Sequence, residues 1–267
     1  MITPELLLEA VADVARVAGE VALRHFKTGI DVDIKGDGSP VTVADRTAEH
    51  IAREWIAARF PGDAVLGEEY GLTGDVRQRR WLIDPIDGTK TFVRGVPLWG
   101  TMIAVAEDDL VIAGAIFCPA VDELVAASIG CGCWWNGVRC TVSRESSLER
   151  STILVTDDQF PYNPHRAARW HALGARVAVS RTWGDCYGYV QVATGRAELM
   201  VDDRLHPWDA APLLPIIREA GGVYTDWRGG HEVNGGDGVA SNAVLGKAFR
   251  DALGVPERAD GVTGRIE

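Results

Sequence analysis

The chain is 267 residues long, 46% hydrophobic and 24% charged, and carries a formal net charge of −11. A chain of this length can bury a substantial core, as one large domain or as two lobes. Its acidity argues against nucleic acid as the main ligand, since a phosphate backbone demands a basic face. No apolar run approaches the roughly 20 residues needed to span a bilayer.

Leu6, Ala10, Val14, Val17, Ala18 and Val21 recur at helical spacing, so the first predicted element is a helix from Pro4 to Lys27. Glu5, Glu9, Asp13 and Glu20 break up its apolar residues, unlike the uninterrupted core of a secretory leader, and the expected location is cytoplasmic. The polar stretch from Asp31 to Pro40 reads as a short strand and a loop. A second helix is expected from Thr42 to Arg59, with Val43, Thr47, Ile51, Trp55 and Ile56 facing inward and Pro61-Gly62 ending it. Strands follow at Ala64 to Leu66, Trp81 to Ile83, Thr101 to Ala106, Leu110 to Phe117 and Glu123 to Ala127. Asp108-Asp109 and Asn136-Gly137 mark hairpins.

From about Ser146 the texture changes. Strands at Thr152 to Val155, Val177 to Val179, Ala197 to Val201 and Gly222 to Thr225 alternate with helices at Pro164 to Leu173, Asp185 to Thr194, Asp209 to Ala220 and Ala243 to Leu253. Such alternation implies sheets covered by helices. The expected organisation is an N-terminal lobe, residues 1–145, and a C-terminal lobe, residues 146–267, with a loose tail from Pro256. The five cysteines, Cys118, Cys131, Cys133, Cys140 and Cys186, read as free thiols. Cys131-x-Cys133 with Cys140 lacks the partner pair that zinc spacing requires.

Trp81-Leu-Ile-Asp-Pro-Ile-Asp-Gly-Thr89 carries the chemistry. A buried strand runs into Asp84, Pro85 ends its pairing, and Asp87 follows three residues after Asp84. Ionised carboxylates at such a place are costly unless a cation or hydrogen bonds compensate, and Mg²⁺ prefers oxygen ligands of this kind. Asp-Pro and Asp-Gly are also common turn dipeptides. Glu68 closes another strand, where an exposed acidic turn is the plainer reading. Thr42-x-x-Asp45 resembles a capping box, and Asp209 opens a helix, where an acid is favourable in any case.

Together, Gly67-Glu68-Glu69, Asp84-Pro-Ile-Asp-Gly-Thr89 and Trp208-Asp209-Ala-Ala211 followed by Gly221-Gly222 resemble the inositol monophosphatase superfamily over nearly the whole chain. The resemblance implies an α+β fold of layered αβαβα architecture and a Mg²⁺-dependent phosphomonoesterase with two to three ions per site. Glu68, Asp84 and the Ile86 carbonyl would hold the first ion. Asp84, Asp87 and Asp209 would hold the second, and a third would lean on Glu68 through waters. Asp45 would pair with Thr89 near the attacking water, and the backbone of Gly88 and Thr89 would receive the phosphate. Attack would be direct and in line, by water activated by the ions, without a phosphoenzyme. A homodimer is also implied.

Thr91-Phe-Val-Arg-Gly-Val-Pro97 and Arg181-x-x-Gly-Asp185 resemble the histidinol-phosphatase branch. Asp185, with Asp202 and Asp209, would favour a positively charged alcohol, and Arg181 would face the phosphate side. The expected reaction is hydrolysis of L-histidinol phosphate in histidine biosynthesis. The alternative is an inositol-1-monophosphatase or a broader sugar or polyol monophosphatase.

Overall fold

The Thr3 hydroxyl accepts a hydrogen bond from the Leu6 N–H at 3.3 Å, and Pro4 pre-sets the first turn, so α1 (Pro4–Leu23) begins where its cap places it. In the computed structural model, which describes residues 2–29, 31–36, 40–75, 77–108 and 110–257, α1 ends four residues before the expected Lys27. A series of turns follows, with Lys27 at φ +62°. β1 (Val32–Ile34) pairs antiparallel with β2 (Pro40–Thr42), and Thr42 caps α2 (Val43–Arg59).

The inward face of α2 differs from expectation. Val43 is exposed, and the buried positions are Ala44, Asp45, Ala48, Glu49, Ala52 and Ile56. Alanines at four-residue spacing let α2 approach the alanine- and valine-rich face of α1, where Val11, Val14, Ala15, Ala18 and Ala22 are fully buried. Of the expected inward positions Ile56 is buried and Trp55 packs against the same core, so counting only the large apolar residues finds part of this face and misses its alanines.

β3 (Ala64–Gly67), β4 (Gly71–Thr73), β5 (Arg80–Asp87), β6 (Gly100–Glu107), β7 (Leu110–Cys118), β8 (Glu123–Ser128), β9 (Gly132–Trp135) and β10 (Val138–Cys140) form an eight-stranded sheet ordered β10-β9-β8-β7-β6-β5-β3-β4. Its pairs are antiparallel except β3 with β5. The short α3 (Thr89–Val93) sits between β5 and β6. One face of the sheet carries α1.

The chain leaves this sheet at Cys140 and enters a second at Thr152. β11 (Thr152–Val155), β12 (Val179–Arg181), β13 (Leu199–Asp202), β14 (Gly222–Thr225) and β15 (Gly238–Asn242) take the order β12-β11-β13-β15-β14. The connecting helices are α4 (Ala167–Gly174), α5 (Asp185–Ala193), α6 (Pro207–Glu219) and α7 (Gly246–Leu253). β15 was not anticipated. Gly-Val-Ala-Ser-Asn is short and built of small residues, yet it is entirely buried between β13 and β14. The last helix consequently starts at Gly246, later than the expected Ala243.

α5 and α6 pack in a shared core that joins Leu82, Met102 and Ile116 of the first sheet to Leu154, Met200 and Ala240 of the second. At Gly114 of β7 the α6 backbone comes so near that an added Cβ would lie 2.5 Å from the Pro212 carbonyl oxygen and 2.8 Å from its Cα. Backbone cannot yield as a side chain does. Gly114→Ala is therefore expected to destabilise the protein by about 2–3 kcal/mol. A urea midpoint lowered at unchanged slope would show this, and an unmoved midpoint would mean the layers are looser than described.

No helix among the described residues is long and apolar enough to cross a membrane. Cys118, Cys133 and Cys186 are buried, Cys131 and Cys140 are half-buried, and all five are free. The hairpin residue Asp109 and most of the expected tail, 258–267, lie outside the described residues.

Candidate active site

β5 delivers the first two carboxylates. Its ladder with β6 is regular to Asp84 opposite Met102, shifts register across Pro85 and Ile86, and resumes at Asp87 opposite Gly100. Pro85 has no N–H to pair, and its carbonyl accepts from the Thr101 hydroxyl at 2.8 Å. Asp84 Oδ1 accepts the Ile86 N–H at 2.9 Å. Gly88 then takes the left-handed conformation, φ +82°, and a Cβ there would lie 2.9 Å from Asp185 Oδ2. Both facts require glycine.

Asp209 arrives in the first turn of α6, where Oδ2 accepts the His206 N–H at 2.7 Å. Its Oδ1 is buried with no hydrogen-bond partner. Oxygens of Asp84, Asp87 and Asp209 all fall within 4.8 Å of one another. Burial, then the charges of Glu68 and Asp209, raise the Asp84 pKa well above the usual carboxylate range. Burial, then Asp185, does the same to Asp87, against the opposing Cys186 N–H bond. Asp209 is pushed up to about 7, chiefly by burial. Converging carboxylates, buried at Asp84 and Asp209 and half-buried at Asp87, one with an orphaned oxygen and all with oxygen donors only, fit a hard divalent cation, and the cluster could hold one.

Glu68 lines the same cavity of about 230 Å³ as this trio, but it lies outside their close group. Lys35 Nζ bonds Glu68 Oε1 and Glu69 Oε1, each at 2.6 Å. Burial and these carboxylates act on both sides: Glu69 is pushed up to about 7, and Lys35 is held above its ordinary value by its two partners. Lys35 was missed in the sequence, where its only signal is a single cation in a polar, glycine-rich stretch.

Asp45 makes both of the expected contacts. Its Oδ2 accepts the Thr42 N–H and hydroxyl, each at 2.7 Å, which caps α2. Its Oδ1 faces the Thr89 hydroxyl at 3.4 Å. The single Thr89 hydroxyl proton has a second acceptor in reach, the Ile86 carbonyl at 2.9 Å, so it can be given to one or the other. Gly88 and Thr89 line the cavity beside the trio, as do Ile86, His206 and Trp208. The His206 ring stacks on Trp208 at 5.1 Å as part of the wall.

A larger cavity of about 420 Å³ adjoins it, with Lys90, Tyr162, Asp185, Asp202 and Arg204 in its lining. Asp185 does not cap its own helix: it sits at φ +51°, its N–H donates to Thr156 Oγ1 at 2.8 Å, and its Oδ2 accepts from Thr91 at 3.0 Å. Asp202 is buried at the end of β13. Arg181 is not brought in. It is exposed at the end of the edge strand β12, bonds the Ser180 carbonyl, and lines neither cavity. The cations that do line the larger cavity are Lys90, Arg94 and Arg204.

The model of the inositol monophosphatase family matches residues 4–254. This chain belongs to that family. It is 40% identical over 258 residues to the histidinol-phosphatase of Chlorobaculum parvum, covering 96% of this chain and 99% of the relative. It is 33% identical over 263 residues to the inositol-1-monophosphatase of Mesorhizobium japonicum, covering 94% and 97%. The crystal structure of extragenic suppressor protein suhB from Bartonella henselae superposes with TM-score 0.87 at 30% identity, over 92% of this chain and 98% of that one. The layered α+β fold is that of the family, and the chain is a phosphoric monoester hydrolase.

Proposed function

We propose that this enzyme hydrolyses L-histidinol phosphate to L-histidinol and phosphate, with Mg²⁺ held by Glu68, Asp84, the Ile86 carbonyl, Asp87 and Asp209. The observation that carries the substrate is the pair Asp185 and Asp202 in the cavity beside the metal-fitting trio. Two carboxylates beyond those a divalent cation would occupy make an alcohol pocket suited to positive charge. Lys90, Arg94 and Arg204 also line it, but all three are exposed, where an ion pair contributes only about 0–1 kcal/mol. A buried carboxylate left without a partner costs more.

Divalent cations there would neutralise the phosphoryl oxygens and lower the pKa of water. The chain's own groups orient the reaction. Thr89 Oγ1, placed by the Ile86 carbonyl and Asp45 Oδ1, holds the attacking water. Asp45, whose pKa burial raises, receives its proton through Thr89. Glu68 lines the same cavity and orients the water from its other side. The backbone of Gly88 and Thr89 receives the phosphate.

Phosphate release from L-histidinol phosphate is expected to exceed that from inositol monophosphate under equal Mg²⁺, and the reverse ranking rejects the substrate. A chelator should abolish release in both cases, with Mg²⁺ restoring it in the unmodified protein and not in Asp209→Asn. A homodimer belongs to the same proposal and is read by light scattering.

A further inference from the structure

The hairpin at one edge of the first sheet carries two thiols face to face. β9 and β10 pair over three residues, and Cys140 stands opposite Cys133 in that ladder. Their sulfurs lie 3.5 Å apart. Opposed residues of an antiparallel ladder have Cα atoms about 4.5–5.5 Å apart, inside the range of about 4.4–6.8 Å that a disulfide spans. Closing to a bond of about 2.05 Å therefore asks for side-chain rotation and leaves the strand pairing in place.

The two thiols are unequal. Cys133 is fully buried in the core shared by the two sheets, whereas Cys140 is half-buried on the edge strand. The hydrogen bond from Cys133, then the Arg196 guanidinium, hold the Cys140 thiol below its ordinary value against the effect of burial. That same bond, then burial, raises Cys133. Arg196 is fixed there by Glu123, 3.0 Å away, and by the Trp135 ring at 4.7 Å. The reachable sulfur thus carries the thiolate and the sealed one keeps the proton, as an attacking and a resolving cysteine require.

The other cysteines are placed differently. Cys118 and Cys186 are also neighbours, since a Cβ on Gly100 would lie 3.0 and 2.9 Å from their sulfurs, but at 0 and 1% exposure they are sealed from any oxidant. The Cys131 sulfur faces the Ile129 carbonyl at 3.9 Å.

We infer that Cys133 and Cys140 are a reversible disulfide site, oxidised by peroxide, that staples β10 to the sheet. The Cys140 sulfur attacks a peroxide oxygen, the O–O bond breaks, and a sulfenic acid forms as hydroxide leaves. The Cys133 sulfur then attacks that of Cys140, and the sulfenic oxygen departs with the Cys133 proton. Two electrons pass from the thiols to the peroxide, which ends as water. Only three residue pairs hold β10, so its edge opens easily, and the link removes opened states. Neither cysteine lines either cavity of the active site, so the phosphate chemistry is untouched.

The test treats the unmodified protein with hydrogen peroxide, unfolds it, alkylates the remaining thiols and weighs its peptides. A Cys133–Cys140 link, two hydrogens lighter than the dithiol and reversed by dithiothreitol, is expected, with the other three of the five thiols still open to alkylation. Amide exchange in β10 should slow at least about tenfold on oxidation, and phosphate release should be unchanged. Cys133→Ser should drive Cys140 on to the sulfinic acid at least about tenfold further at equal peroxide, and Cys131→Ser should keep the link. Both thiols alkylated after peroxide, Cys140 over-oxidised in the unmodified protein, or a link between Cys118 and Cys186 in its place would each overturn the site. Phosphate release that falls as the link forms would overturn its separation from the chemistry.

Discussion

Asp84→Asn is expected to lower kcat/KM for phosphate release at least about a thousandfold, ~4 kcal/mol of transition-state stabilisation, while making the metal-free protein more stable. The two effects share one cause. Asp84 is 3% exposed and faces the charges of Glu68, Asp209 and Asp87. Without a cation these groups repel one another in a medium that screens them poorly. The amide keeps the shape and can still accept the Ile86 N–H, so the local turn survives. Relief of about 1 kcal/mol of repulsion would raise the thermal midpoint in chelator by about 2–4 °C. The midpoint gain that Mg²⁺ confers on the unmodified protein should shrink in the variant. A carboxylate kept only for its turn would behave otherwise, with a small change in rate and no gain in stability. Unchanged phosphate release in Asp84→Asn would rule out a metal role for this residue.

What could be read from the chain alone followed from local chemistry. Asp84 and Asp87 flank a proline that cannot continue the ladder, and Gly88 takes a conformation that side chains disfavour, so the turn and its carboxylates are written in consecutive residues. Thr42 and Asp45 are likewise a local cap whose bonds the structure contains. The misses depend on distant partners. Lys35 reaches Glu68 and Glu69 across 33 and 34 residues, and no local pattern announces such a pairing. Glu49 is fully buried in α2 because Arg53 and the Glu69 N–H satisfy it, whereas helical periodicity assigns a glutamate to solvent. β15 is legible only once β13 and β14 stand on either side of it. Arg181 was placed by likeness of motif, but its strand lies on a sheet edge and carries the guanidinium outward.

Asp185→Asn is expected to cut kcat/KM for L-histidinol phosphate about 10–100-fold, the worth of a hydrogen bond to a charged group, and to leave hydrolysis of inositol monophosphate unchanged or improved. Asparagine is the informative replacement. Asp185 holds φ +51°, a conformation that asparagine tolerates and alanine does not. The amide oxygen can still accept from Thr91, and the backbone bond to Thr156 is untouched. Only charge is lost. Burial already raises the Asp185 pKa, with the Thr91 hydroxyl and Lys90 holding it back, so a cationic alcohol would supply the countercharge that the fold supplies only in part. A neutral polyol gains nothing from that carboxylate and must desolvate it. The variant should therefore narrow or invert the ranking of the two substrates rather than depress both rates. Equal losses on both would assign Asp185 to positioning Gly88 and the phosphate side, against which its Oδ2 already packs.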